Sequence, residues 1–287
     1  MHSLTGKIVL VTGASRGIGK GIALALGEAG ATVYVTARTV KEGKATVSVS
    51  GNLHQTASEV TQLGAASGGR GIALPCDHAD RTGDDAQVRA VFERIKAEQG
   101  RLDILVNNVW GGYEHFNNGT EFWNEKGFWD APLNRWDKSF DAGVRAHYVC
   151  SVLAAPLMMA QQSGLIVNIS FFAVQRNDKG VIYGLAKAAD DKMAACMAHE
   201  LRGHNIAAVS LYPGLVRTEA VLKAAEYFDM TNSESPQFIG LAVAALATDP
   251  NIMEKSGQVL IAAQLALDYG YTDIDGRQPR PVTVAEA

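Results

Sequence analysis

The chain is poor in several things, and each scarcity rules something out. Its 287 residues hold only three cysteines, Cys76, Cys150 and Cys196, odd in number and far apart. Neither a disulfide framework nor the close pairs of a zinc site fits that spacing, so reduced thiols and no metal are expected. Basic residues are not in excess: the formal net charge is -4, which argues against a nucleic-acid partner. No apolar run approaches the eighteen or so residues of a membrane span, and Met1 to Gly6 lacks the marks of a signal peptide. A cytoplasmic protein without a membrane span is the expectation. Proline-rich linkers, charge runs and repeats are also missing, which favours a single domain over residues 1–287.

What is present is an alternation of strand-like and helix-like stretches. Strands are expected at Lys7 to Thr12, Thr32 to Ala37, Gly71 to Cys76, Leu102 to Asn107, Leu165 to Ser170, Asn205 to Leu211 and Gln258 to Ala262. Helical patterns fall at Gly17 to Glu28, His54 to Leu63, Asp84 to Gln99, Arg135 to Gln161 and Tyr183 to Arg202. Strand and helix in alternation imply an α/β fold with a doubly wound, parallel, seven-stranded sheet of the Rossmann type. Three segments break the rhythm: polar Thr39 to Asn52, aromatic Trp110 to Trp136, and Leu215 to Phe238. All three leave the carboxyl ends of strands, where such sheets bind ligands, and segments 110–136 and 215–238 are candidate substrate lids.

Gly13-Ala14-Ser15-Arg16-Gly17-Ile18-Gly19 lies between the first strand and the first helix. Glycines there let the backbone approach a pyrophosphate at a helix N-terminus. The second strand ends in Ala37-Arg38 with no acid at its tip, so Arg38 and Arg16 can take a ribose 2'-phosphate. The cofactor expected is NADP(H) rather than NAD. Tyr183 and Lys187 stand four apart on one helix face, and an ammonium beside a phenol favours the phenolate. Ser170 ends the preceding strand and can hold a carbonyl oxygen for protonation.

Glycine turn, strand-end asparagines and the Ser170, Tyr183 and Lys187 set together resemble the short-chain dehydrogenase/reductase family over roughly Leu4 to Leu267. Stretches such as Val144 to Tyr148, His199 to Arg202 and Asp273 to Arg277 are similar to its branch typified by dehydrogenase/reductase member one, associated with NADPH-dependent carbonyl reduction. The resemblance implies that Tyr183 is the general acid in reduction, that Lys187 also binds the nicotinamide ribose, and that Ser170 orients substrate. It implies too that Asp77 accepts from the adenine amino group and that Asn107 steadies the central strand and lines the adenosine site. Pro213 and Gly214 would turn beside the nicotinamide, with Val216 and Thr218 on its carboxamide and the phosphates. Assembly as a homodimer or homotetramer is a further implication.

The pattern also departs from the family. Gly143 falls where the family's relay asparagine aligns, Trp110 replaces a glycine, and Phe171 and Phe172 follow Ser170 where small residues are usual. A water on the Gly143 carbonyl, or another side chain, is expected to complete the proton relay. Tyr113, Phe116, Phe122, Trp123, Phe128 and Trp129 read either as a lid over an apolar substrate or as a satellite core or subunit contact. Glu114, His115 and Glu121 match no ligand spacing, and His147 and His199 read as packing residues on helices. The function these signs favour is reduction of a ketone or aldehyde with an apolar body, or the reverse oxidation of an alcohol. A protein that binds NADP without turnover is the alternative.

Overall fold

The computed structural model describes residues 3–40, 50–112 and 127–286. Short β-branched and aliphatic runs form β1 (Ile8–Thr12), β2 (Thr32–Ala37), β3 (Arg70–Pro75), β4 (Ile104–Asn107), β5 (Gly164–Ile169), β6 (Ile206–Tyr212) and β7 (Val259–Ile261). All pairings are parallel, in the order β3-β2-β1-β4-β5-β6-β7. The order reverses between β1 and β4, which opens a crevice beyond their carboxyl ends. Around the sheet lie α1 (Gly17–Glu28), α2 (Leu53–Leu63), α3 (Thr82–Gln99), α4 (Asn134–Ser139), α5 (Ala146–Gln161), α6 (Val181–Leu201), α7 (Glu219–Lys223), α8 (Pro236–Thr248), α9 (Ile252–Lys255) and α10 (Ala262–Tyr269).

Successive strand residues feed two cores. Val9, Val11, Val33 and Val35 pack with Ile22, Leu26, Ile239 and Val243. Leu10, Tyr34, Leu105 and Ile166 pack on the other face with Val88, Ile95, Cys150 and Ala154. A strand covered on both faces must be apolar along its length, which explains why β1 reads IVLVT.

Two features depart from the sequence expectation. The helix expected over Arg135 to Gln161 is not continuous: α4 runs into a π-helical turn, Phe140–Arg145, before α5 begins. π-bulges of this kind recur at functional sites, and Gly143 lies inside this one. The stretch Asn134–Gln161 is also long and apolar enough to cross a membrane by length and composition, contrary to the expectation that no such run exists. Half of its apolar window is nevertheless buried inside the fold, with Ala146, Cys150, Ala154 and Met158 in the core, as befits a core helix. Cys76 and Cys150 are buried, Cys196 is exposed, and all three are free thiols.

Candidate active site

The glycine turn has a backbone that other residues could not easily adopt. Gly13 and Gly17 have φ of +70° and +57°, a region that side chains disfavour. A Cβ on Gly13 would also sit 2.7 Å from the Val109 Cα, so the turn is pressed against the end of β4. Asn108 holds it there, its amide donating to the carbonyls of Thr12 at 2.9 Å and Gly13 at 3.1 Å. Ser15 is buried in the turn, and Ile18 and Gly19 begin α1, Ile18 packing on the core. The first amide of α1, Gly17 N–H, donates to a Glu219 carboxylate oxygen at 2.9 Å. That carboxylate sits where a helix N-terminus attracts negative charge, the place a cofactor diphosphate would take.

Arg16 precedes α1 and donates to the carbonyls of Ser50 at 3.2 Å and Gly51 at 2.9 Å, clamping the end of the polar segment onto the turn. Burial lowers its pKa, and the neighbouring Arg38 charge adds to the effect while Glu219 opposes it. Arg38 follows β2, exposed, with its Nε 3.9 Å from Asp77. The two arginines and Asp77 thus lie near one another beyond the carboxyl end of β2.

Ser170 follows β5, and Tyr183 and Lys187 lie in the first two turns of α6. Lys187 is buried, its ammonium donating to the Ile169 carbonyl at 2.9 Å and the Asp190 carboxylate at 3.2 Å. It also lies 4.6 Å over the Trp110 ring, within cation–π range. The Tyr183 ring meets the same indole edge-on at 5.5 Å and has Phe171 at 6.2 Å on another side. Ser170 donates from Oγ to the Lys187 carbonyl at 3.2 Å, which ties the end of β5 to α6. The three predicted catalytic residues are therefore brought together within an aromatic frame.

Asn107 requires a correction. Its side chain points into the protein, not toward an adenosine site, and donates to Ser151 at 3.0 Å and Asn168 at 2.9 Å with no exposure. Those bonds join β4 to α5 and β5, and the neighbouring Asn108 is the residue that reaches the glycine turn. His147 sits between the Asp190 carboxylate at 2.8 Å and the Val109 carbonyl at 3.0 Å. Burial pushes the Asp190 carboxyl up, but the facing His147 and Lys187 charges outweigh it and hold the group below its ordinary value.

Pro213 and Gly214 follow the end of β6. Gly214 N–H donates to Glu234 at 2.8 Å, and Val216 forms a parallel bridge with Glu234. Burial raises the Glu234 carboxyl to about 7, partly countered by the Gly214 hydrogen bond. Thr218 caps α7 by accepting from Val221 N–H at 3.3 Å. Residues 273–286 strap this loop down: Arg217 pairs with Asp273 at 3.0 Å and Asp275 at 2.9 Å, and Asn232 donates to the Arg280 carbonyl at 3.0 Å. The strap was not foreseen, because its ion pairs join residues distant in sequence.

Phe128 and Trp129 are exposed and touch edge-on at 5.4 Å, while Trp136 stacks on Phe140 at 4.1 Å. Tyr113, Phe116, Phe122 and Trp123 lie outside the described residues, as do Glu114, His115 and Glu121. Among the described residues no group of three His, Cys, Asp or Glu could hold a metal ion.

This geometry has a family. The short chain dehydrogenase model matches residues 7–227, and the chain belongs to that family of oxidoreductases, which bind a nicotinamide cofactor and act on CH–OH and C=O groups. Among its relatives, dehydrogenase/reductase SDR family member 1 of mouse is 43% identical, the match covering 96% of this chain and 85% of that protein. The fold is shared with a short chain dehydrogenase of Mycobacterium thermoresistibile, at a TM-score of 0.77 and 25% identity over 98% and 95% of the two chains. It is shared as well with a 7α-hydroxysteroid dehydrogenase complexed with NADH and 7-oxo glycochenodeoxycholic acid, at a TM-score of 0.70 and 26% identity over 90% and 94%.

Proposed function

We propose that this protein is an NADPH-dependent carbonyl reductase, reversible in principle, for a ketone or aldehyde with an apolar body. The observation that carries the reading is the convergence of Tyr183 and Lys187 on the Trp110 indole, with Ser170 bonded to the same helix. When bound, the cofactor supplies the hydride. Tyr183 gives its hydroxyl proton to the carbonyl oxygen, and the Lys187 charge makes that proton easier to release. Ser170 turns its hydroxyl from the Lys187 carbonyl to the substrate oxygen. The complete set favours turnover over a purely cofactor-sensing role.

Preference for NADPH rests on Arg38 and Arg16 at the crevice edge and on the absence of an acid at the tip of β2. The residues fit the cofactor: Gly13, Ser15, Gly17, Ile18 and Gly19 would hold the diphosphate, Asp77 the adenine, and Pro213, Gly214, Val216 and Thr218 the nicotinamide side. Apolar substrate preference is supported by Phe171 and Trp110 around Tyr183 and by exposed Phe128, Trp129, Leu133, Leu222 and Tyr227 on the two candidate lids. A cytoplasmic homodimer or homotetramer completes the proposal. The test is a panel of quinones, diketones, aldehydes and ketosteroids offered with NADPH and, separately, with NADH. Faster turnover with NADPH on bulky apolar carbonyls supports it, and NADH preference or activity only on small polar carbonyls contradicts it.

A further inference from the structure

Gly143 carries no amide, and its place is filled. A Cβ there would lie 2.8 Å from both Cε3 and Cζ3 of Trp110, so the indole occupies the space into which a longer side chain at 143 would project. The same indole lies against the Lys187 ammonium and the Tyr183 ring. Lys187 is therefore approached from this side by an aromatic face, not by an amide or by a water held on one.

On its other side Lys187 meets an ionised carboxylate with no exposure at all. Asp190 takes the Lys187 ammonium on one oxygen at 3.2 Å and His147 Nδ1 on the other at 2.8 Å. His147 is itself fixed, since its Nε2 lies 3.0 Å from the Val109 carbonyl and its own carbonyl accepts from Ser151 at 2.8 Å. The Asp190 backbone is fixed too, its carbonyl accepting from Asn168 Nδ2 at 3.0 Å. Asn107 closes the chain by donating to both Ser151 and Asn168. Burying a carboxylate costs several kcal/mol unless it is paired and fully hydrogen-bonded. A polar chain from β4 through α5 and β5 to α6 serves that end and terminates on the lysine.

We propose that Asp190, oriented by His147, is the positioning residue for Lys187, taking over the task that an amide at position 143 could not perform with Trp110 in place. The assignment rests on the reductase reading for its kinetic consequence but not for its geometry. Asp190 and His147 act only through Lys187, which is buried with the Trp110 ring against it.

Asp190→Asn keeps the shape and removes the charge. With NADPH and the best carbonyl of the panel, kcat falls at least tenfold, the carbonyl KM stays within twofold, and NADPH affinity measured by fluorescence weakens because Lys187 is no longer held in place by the carboxylate. A folded variant with kcat and NADPH affinity within twofold of wild type overturns the proposal, since a merely structural Asp190 lowers stability and not the turnover of folded molecules. A second measurement needs no variant. Proton NMR of the wild type is expected to show the His147 Nδ1–H as a downfield, slowly exchanging resonance, and failure to find a hydrogen-bonded Nδ1–H overturns the pairing. Should the wild type oxidise no NADPH with any carbonyl, the reductase reading fails while the resonance still decides the geometry.

Discussion

Trp110 and Gly143 are fitted to each other: the indole carbons Cε3 and Cζ3 stand 2.8 Å from where a Cβ at position 143 would be. Real Cβ contacts do not come so close, so a side chain at position 143 needs the indole to give way. Overpacking a filled site costs about 1–3 kcal/mol. Gly143→Asn is therefore expected to lower the melting temperature and to slow turnover, and adding Trp110→Gly should recover stability. A single Gly143→Asn variant that is as stable as wild type and tenfold faster would show that the indole leaves the space open.

Glu219 occupies the amide that a diphosphate would use. Its carboxylate must leave when the cofactor binds, so Glu219→Ala is expected to tighten NADPH binding roughly two- to fivefold, the worth of a charge at a helix N-terminus. Calorimetric titration reads this directly, and weaker binding would place Glu219 among the residues that hold the cofactor.

Arg38 tests cofactor choice. Arg38→Asp puts a carboxylate beside the adenosine ribose, where it suits a free hydroxyl and repels a phosphate. The NADPH to NADH affinity ratio should fall by at least about tenfold, the effect of exchanging a charged hydrogen bond for a repulsion. An unchanged ratio sinks the assignment.

Stability should vary with pH in two opposed windows. Buried His78 is pushed down to about 3 by burial and by the nearby His147 and Arg38 charges, while its ordinary value is 6.5. The unfolded chain therefore takes up the proton first, and stability is lost as pH falls from about 6.5 toward 3. Glu234 works the other way: its carboxyl titrates near 7 when folded against 4.5 ordinarily, so the folded protein holds the proton and stability is lost as pH rises from about 4.5 to 7. Glu234→Gln should raise the melting temperature above pH 7, by an amount worth roughly 1–3 kcal/mol, and change little near pH 4.5. Equal melting curves for variant and wild type at pH 8 would contradict a strained carboxylate there.

The fold was legible because periodicity and strand composition are local properties. IVLVT before a glycine turn can be read in five residues, as can Tyr183 and Lys187 on one helix face. Asp190 carried a readable signal too, being an acid one turn beyond Lys187 on the same face, and it was overlooked because acids on helices are usually solvated. The partners of His147 and Asn107 are not legible in the sequence, since they come from other elements and are set by packing. The π-helical turn around Gly143 has no periodic signature of its own.

The most direct test of the account compares wild type with Tyr183→Phe while NADPH absorbance is followed in the presence of an apolar ketone or aldehyde. Removing the phenolic proton should cut the rate at least about a hundredfold, the usual worth of a positioned general acid, with NADPH affinity little changed. Equal rates for the two proteins would contradict the assignment of Tyr183 as the proton donor and, with it, the reductase built around Ser170, Tyr183 and Lys187.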